Sequence, residues 1–343
     1  MSDASSDGGV HVGARDGLLD IDDRRQLTLL GGLVLVTALA PLLFGQYYTS
    51  LLTQALIFSI FAIGVDLLWG YTGVLPFGHA AFFGLGAYIT AKITLVTSVP
   101  GAGYVAGVLS VVLVGFAGFV IAGVLFYRGI REDYFTIITL TIAIIASQIA
   151  TSWNSVTGGY NGLTGVPSFS VGIPGIWMIP LSGSGLYYVV VALTAGVYVF
   201  TRRTVHSPFG RTLVAIRENE RKARALGYDV EKYKTLVFGL STALGGLAGF
   251  MYAGYASFVS PTLLGFLLST EVLIWVLVGG RGTLVGAIVG TVFLTVFENS
   301  LSGVFQFSWT LLLGIALVII VLVFPQGIVG LPRLIGERFS GRD

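Results

Sequence analysis

The sequence predicts an all-α polytopic membrane protein of about ten transmembrane helices, and three observations carry that expectation. Charged residues make up 10% of the 343 positions and hydrophobic ones 55%, with a mean hydropathy of +0.88, whereas soluble domains carry roughly 25% charged residues. Apolar stretches recur along nearly the whole chain with no soluble block between them. Lysine and arginine fall in alternate connections, as they do in chains whose basic loops stay in the cytoplasm.

Residues 1–26 set Asp3, Asp7, Asp16, Asp20, Asp22 and Asp23 against Arg15, Arg24 and Arg25 among serines and glycines. Such a segment cannot bury enough apolar surface to offset its ordering entropy, and it lacks the basic start and early apolar stretch of a signal peptide. It is expected as a retained, disordered cytoplasmic tail. A crossing helix needs about 20 apolar residues, because each rises about 1.5 Å and the backbone must satisfy its own hydrogen bonds. Runs of that kind lie near 27–45, 50–69, 74–96, 104–127, 134–153, 186–201, 235–256, 266–279, 284–301 and 309–324. The transmembrane domain is therefore placed at 27–331, with a second cytoplasmic tail at 332–343.

With ten crossings, alternation puts Arg24/Arg25, Arg128/Arg131, the basic stretch 202–234, Arg281 and Arg333/Arg338/Arg342 on one side, the cytoplasmic one. The uncharged connections 46–49, 97–103, 154–185, 257–265 and 302–308 fall on the other. Both termini are thus expected in the cytoplasm, with the chain multi-pass in the cell membrane.

Two segments are irregular. The run 266–279 is short and ends in Gly279-Gly280-Arg281-Gly282, and 74–96 opens with Gly73, Pro76, Gly78, Gly84 and Gly86. Interrupted segments line a pathway where water or protein satisfies the opened backbone, or they let helices approach closely. Intramembrane ionisable residues cost roughly 2.5–3.5 kcal/mol each on insertion scales, which makes Asp66, Lys92, Glu271 and Glu298 site candidates. Asp66, Lys92 and Glu298 lie near span ends, where they can snorkel to the interface. Glu271 and Arg281 sit too far apart along one helix to pair. Phe77-Gly78-His79 presents an imidazole and bare backbone, either to a passing polar solute or to packing neighbours.

Between two spans lies a charged stretch, His206 to Gly227. Ser207 suits an N-cap, Pro208 the first helical position and Gly227 the left-handed residue past the end, which predicts one helix of about five turns over 208–226. Phe209, Leu213, Ile216, Ala223 and Leu226 form an apolar stripe, with Arg211, Arg217, Glu218, Arg221, Lys222 and Arg224 around it. The basic excess suits anionic membrane lipid, and the intermixed Glu218 and Glu220 suit a protein partner.

Cysteine is absent, and His11, His79 and His206 stand far apart, so no thiolate chemistry, metal site or cofactor is expected. No phosphate-binding G-x-x-x-x-G-K-[ST] loop occurs, so the chain cannot bind ATP in that way by itself. An intramembrane enzyme would need a nucleophile near a base or clustered ligands, and the chain offers neither. An ion-coupled secondary transporter is the alternative of a different class, although only Glu271 is well placed for coupling.

The block Ser207 to Gly227, with Tyr233-Lys234 and Ala243 to Ala253, resembles permease subunits of the branched-chain amino acid ABC importers, LivM type. Gly70 to Tyr88, Tyr134 to Leu140, Thr157 to Gly165, and Gly279 to Gly290 with Phe324 to Leu331 resemble the same family in order and spacing. The resemblance implies a non-enzymatic subunit moving branched-chain or other neutral amino acids. Its implied partners are two ABC ATPase subunits, a homologous second permease of LivH type and an extracytoplasmic solute-binding protein; no nucleic acid is expected. It further implies that 208–226 is the ATPase-coupling helix, carried by Ser207, Pro208, Phe209, Arg211, Leu213, Ile216, Arg217, Glu218, Arg221, Ala223, Leu226 and Gly227. The candidate translocation pathway comprises Phe77, Gly78, His79, Gly84, Tyr88, Asn161, Gly162, Glu271, Gly279, Gly280 and Arg281. Glu271 to Leu284 departs from that pattern and looks more like permeases of urea and short-chain amide importers.

Overall fold

A computed structural model of the chain describes residue 41 and residues 45–302, apart from 98, 100, 174–176 and 182. Both tails, the span expected at 309–324, the 324–331 motif and all but two positions of the span expected at 27–45 lie outside the described residues.

The first described helix, α1 (Gln46–Thr72), is apolar on every side and nearly all of it is buried. Its 27 residues extend about 40 Å, more than a bilayer's hydrocarbon core. Gly73 ends it in the left-handed region at φ 87°, returning its N–H to the Trp69 carbonyl. The chain then stays non-helical to His79, and α2 (Ala80–Val96) has only 17 residues. The span expected over 74–96 is therefore part helix and part buried loop, because Gly73, Pro76 and Gly78 resist a continuous helix.

Helices α3 (Ala102–Tyr127), α4 (Glu132–Ser152), α5 (Ser184–His206) and α8 (Val230–Ala256) are full-length. Two short helices, α6 (Pro208–Glu218) and α7 (Glu220–Ala225), lie between α5 and α8. Helices α9 (Phe266–Gly279) and α10 (Leu284–Ser302) form a pair bent by 116° at their junction. Each of the eight spans expected within the described region has its helix. Only five are long and apolar enough to cross alone, and the bent pair makes a sixth if it is one span.

Glycine sets the packing at the centre. A β-carbon on Gly246 of α8 would lie 2.5 Å from the Ser110 carbonyl of α3, and Gly86 of α2 packs on the Gly246 backbone. Small residues thus draw three helices into backbone contact. Four buried hydroxyls are satisfied within their own helices: Thr53, Ser59, Thr201 and Thr291 each donate to the carbonyl four residues back at 2.7–2.8 Å. The outward face of α3 shows Val108, Val112, Phe116 and Val124, an apolar surface suited to lipid.

One end of the bundle gathers the uncharged connections. There β1 (Leu163–Thr164) pairs antiparallel with β4 (Phe258–Val259), and β2 (Ser170–Ile173) pairs with β3 (Trp177–Pro180). The Tyr104 hydroxyl both donates to the Gly172 carbonyl and accepts from its N–H, at 3.0 and 2.9 Å. The opposite end gathers Glu132, Arg217, Lys234 and Arg281. Within the described residues, charged and uncharged connections therefore separate as the alternation expects.

Candidate functional site

At the charged end Ser207 caps α6, its hydroxyl accepting the Gly210 N–H at 3.4 Å, with Pro208 as the first residue. The helix expected over 208–226 is not continuous. Asn219 breaks it at φ −160°, ψ 95°, and its side chain caps α7 by accepting the Lys222 N–H at 2.9 Å. Gly227, at φ 89°, is left-handed past the end of α7, as its position in the sequence predicts.

The apolar stripe also differs from expectation. Leu213 is buried in the main core, and Ile216 and Ala223 pack with Val230 in a small cluster of their own. Phe209 stacks on Tyr233 at 5.4 Å. Four of the five stripe residues thus face the chain itself, because the Asn219 break lets both helices fold their apolar sides onto α8. What remains outward is Arg211, Glu218, Arg221, Lys222 and Leu226, the last 78% exposed.

Ion pairs clamp α7 to the bundle. The Lys234 ammonium, whose side chain is 4% exposed, contacts Glu132 of α4 at 2.5 Å and Glu220 of α7 at 2.9 Å. Arg224 bridges Glu220 at 2.8 Å and Glu231 at 2.5 Å. Burial pushes the Glu220 carboxyl up, but its hydrogen bonds and charge pairing with Lys234 and Arg224 outweigh this and hold it below the usual value. These groups line a polar cavity of about 420 Å³.

A second constellation joins three elements at the end of α1. Arg217 donates to the Gly70 carbonyl at 2.6 Å, and Arg281 donates to the Trp69 carbonyl at 2.9 and 3.2 Å while lying 4.8 Å over its ring. Both carbonyls belong to the last turn, at the negative end of the helix dipole; the Trp69 carbonyl also accepts the Gly73 N–H, at 3.1 Å. Asp66 does not reach solvent, as snorkelling would require: it is fully buried, and its Oδ1 accepts the Gly282 N–H at 2.6 Å.

The expected pathway residues are not gathered along one opening. Gly78 abuts the Thr139 backbone, Gly84 the Leu264 side chain and Gly279 the Gly286 backbone, so all three serve close packing. His79 is fully buried among Phe61, Phe82 and Phe238, with Nε2 at 2.9 Å from the Ser241 hydroxyl, which in turn donates to the Gly64 carbonyl. Phe77 stacks on Phe266 at 6.5 Å, which sets the two irregular segments side by side. Tyr88 is buried near Val166 and Val259, and Gly162 packs on the Val259 backbone with Asn161 exposed beside it. Glu271, partly buried on α9, lies within electrostatic reach of Glu298 on α10. Gly280 at φ 118° and Gly282 at φ 79° form the turn between these helices. Lys92 donates to the Ser155 carbonyl at 3.4 Å at the uncharged end. Among the described residues no cluster of histidine, aspartate or glutamate could hold a metal ion.

Sequence reasoning missed Asn219, Gly282 and the partnerships of Asp66, Lys234 and Glu132. Asn219 followed by Glu220 is a legible N-cap signal. The Asp66–Gly282 and Lys234–Glu132 contacts join residues 216 and 102 positions apart.

Residues 47–322 match the family model of the branched-chain amino acid transport system permease component. The chain belongs to this permease family. It is 28% identical over 334 residues to the high-affinity branched-chain amino acid transport system permease protein LivM of Salmonella typhimurium, covering 90% of this chain and 76% of that one. The probable LivM permease of Methanocaldococcus jannaschii is 26% identical, with 83% of this chain and 91% of that one covered. The LivH permease of Salmonella typhimurium is 25% identical, covering 81% and 92%. No solved structure matches. The family match spans α1 to α10, so α6, α7 and the junction at the end of α1 lie inside the permease domain.

Proposed function

We propose that this chain is the solute-translocating subunit of an ABC importer for branched-chain amino acids, driven by ATP hydrolysed on partner subunits. In this reading the charged end faces the cytoplasm, with the two tails beside it, and a LivH-type permease completes the membrane unit. A solute-binding protein delivers solute to the uncharged end. Support for the solute comes from the LivM and LivH relatives, which are named as branched-chain amino acid transport permeases. Arg281, the residue that departs towards the urea and amide type, bonds a helix-end carbonyl and carries no argument for a different solute.

The observation that carries the docking assignment is the division of α6–α7 into two faces. Leu213, Ile216, Ala223 and the Lys234–Glu220 pair clamp one side to the bundle, while Arg211, Glu218, Arg221, Lys222 and Leu226 stay uncovered. A rigid, externally bare helix pair at the end of a transporter suits an ATPase groove. Leu226→Asp tests this in the assembled complex: the permease should accumulate normally, while ATPase subunits no longer co-purify and leucine uptake into proteoliposomes is lost. Normal uptake by this variant would remove α6–α7 as the docking element.

A further inference from the structure

We propose that Asp66 is a positioning residue that couples the docking helices to the bent pair α9–α10, by holding the Gly282 turn against the end of α1. This rests on the docking assignment above and concerns how a push on α6 reaches the middle of the membrane domain.

Three elements meet in one contact. Arg217 reaches inward from α6 to the Gly70 carbonyl at 2.6 Å. A β-carbon on Gly70 would lie 2.7 Å from the Gly282 Cα, so turn and helix end touch backbone to backbone. A β-carbon on Gly282 would lie 3.7 Å from the Arg217 guanidinium and 3.5 Å from the Gly70 carbonyl. Displacing α6 therefore moves a guanidinium wedged between α1 and the α9–α10 turn.

The turn has the backbone form of a hinge. Gly280 and Gly282 hold backbone conformations that side chains other than glycine rarely adopt, and α9 and α10 change direction by 116° across it. Hinges are short terminal segments of this kind, which absorb large dihedral changes. Asp66 supplies the restraint through its hydrogen bond to the Gly282 N–H at 2.6 Å.

A second observation separates this from a static brace. The other carboxylate oxygen of Asp66, Oδ2, is fully buried with no partner among the described residues. A buried carboxylate oxygen left without a donor is costly. The Arg281 and Arg217 guanidiniums stand within electrostatic reach of it. The junction is thus incompletely satisfied in this conformation and has charged donors at hand for another, as expected of an element that alternates between two arrangements.

The test uses the complete transporter in proteoliposomes. Asp66→Leu removes the acceptor, and Asp66→Asn keeps a carbonyl in its place. Leu267 on α9 and Phe293 on α10 are exposed, and the chain has no cysteine, so Leu267→Cys and Phe293→Cys take spin labels with no background from this chain, once assembled with cysteine-free partner subunits. The wild-type label distance should change between nucleotide-free and ATP-trapped complexes. In Asp66→Leu the ATPase subunits should remain bound and hydrolyse ATP without solute, while solute stimulation falls at least about fivefold and the distance change disappears. Asp66→Asn should restore both. Normal stimulation in Asp66→Leu, failure of Asp66→Asn to rescue, or an immobile α9–α10 pair in the wild type would overturn the inference. Loss of ATPase subunits from the wild-type complex or from Leu226→Asp speaks to docking instead, so the two proposals fail separately.

Discussion

The contact between α3 and α8 makes one substitution a sharp test of how this bundle is held. Replacing Gly246 with alanine puts a β-carbon 2.5 Å from the Ser110 carbonyl and 2.9 Å from the Val114 β-carbon, where ordinary contact begins at 3.4 Å. The helices must part by about 0.9 Å, the difference between 3.4 and 2.5 Å. Overpacking of this kind costs about 1–3 kcal/mol. Alanine also gains helix propensity over glycine, so the control is Gly196→Ala on α5, which meets nothing within 4 Å. Propensity cancels between the two variants. Thermal unfolding of the purified permease in lipid nanodiscs should show Gly196→Ala at or above the parent and Gly246→Ala several degrees below it. Equal midpoints would refute the claim that glycine here serves backbone contact.

Two further outcomes follow from the charged end and the topology. The Glu220 carboxyl is lowered in the folded chain, so the stability it lends is fully present above its usual value of 4.5 and is lost as pH falls through the folded value. A spin label at Arg221→Cys should therefore loosen only below pH 4.5, and Glu220→Gln should abolish that acid transition. A cysteine at Ser168, on the uncharged end, should react with an impermeant thiol reagent added outside intact cells, and one at Arg221 should not; the reverse pattern would invert the orientation.

Much of the helical layout was legible because membrane crossing constrains length and polarity directly, as α3, α4 and α8 illustrate. Ser207, Pro208 and Gly227 were legible as caps, since capping is a local property of the chain. Asn219 escaped notice because it sits in a uniformly charged run, where a break in helix direction leaves no hydrophobic signature. The stripe of Leu213, Ile216 and Ala223 was visible as a stripe, but periodicity says that a face is buried and not against what. Asp66 illustrates the same limit: its distance from the span end pointed to the interface, and only the return of the chain 216 residues later supplies the partner that holds it inside. Gly73, Gly78 and the glycines of 279–282 announced interrupted helices correctly, whereas Gly84 and Gly86 lie inside the continuous helix α2. Whether bare backbone meets solute or another helix depends on neighbours that local sequence does not name.

The non-helical stretch from Gly73 to His79 bears on how the protein is made. Its groups find their donors and acceptors late: Thr136 donates to the Leu75 carbonyl, His79 meets Ser241, and the Ala80 N–H at the start of α2 donates to Ser269. A ribosome that has finished α2 has therefore produced a loop that already meets Phe61 of α1 but lacks these hydrogen-bond partners, Thr136, Ser241 and Ser269. Helix α2, at 17 residues, is also short for inserting alone into a hydrocarbon core about 30 Å thick. Until synthesis passes Ser269, the Leu75 carbonyl, the His79 ring and the Ala80 N–H lack one or more of the partners that hold them in the finished fold.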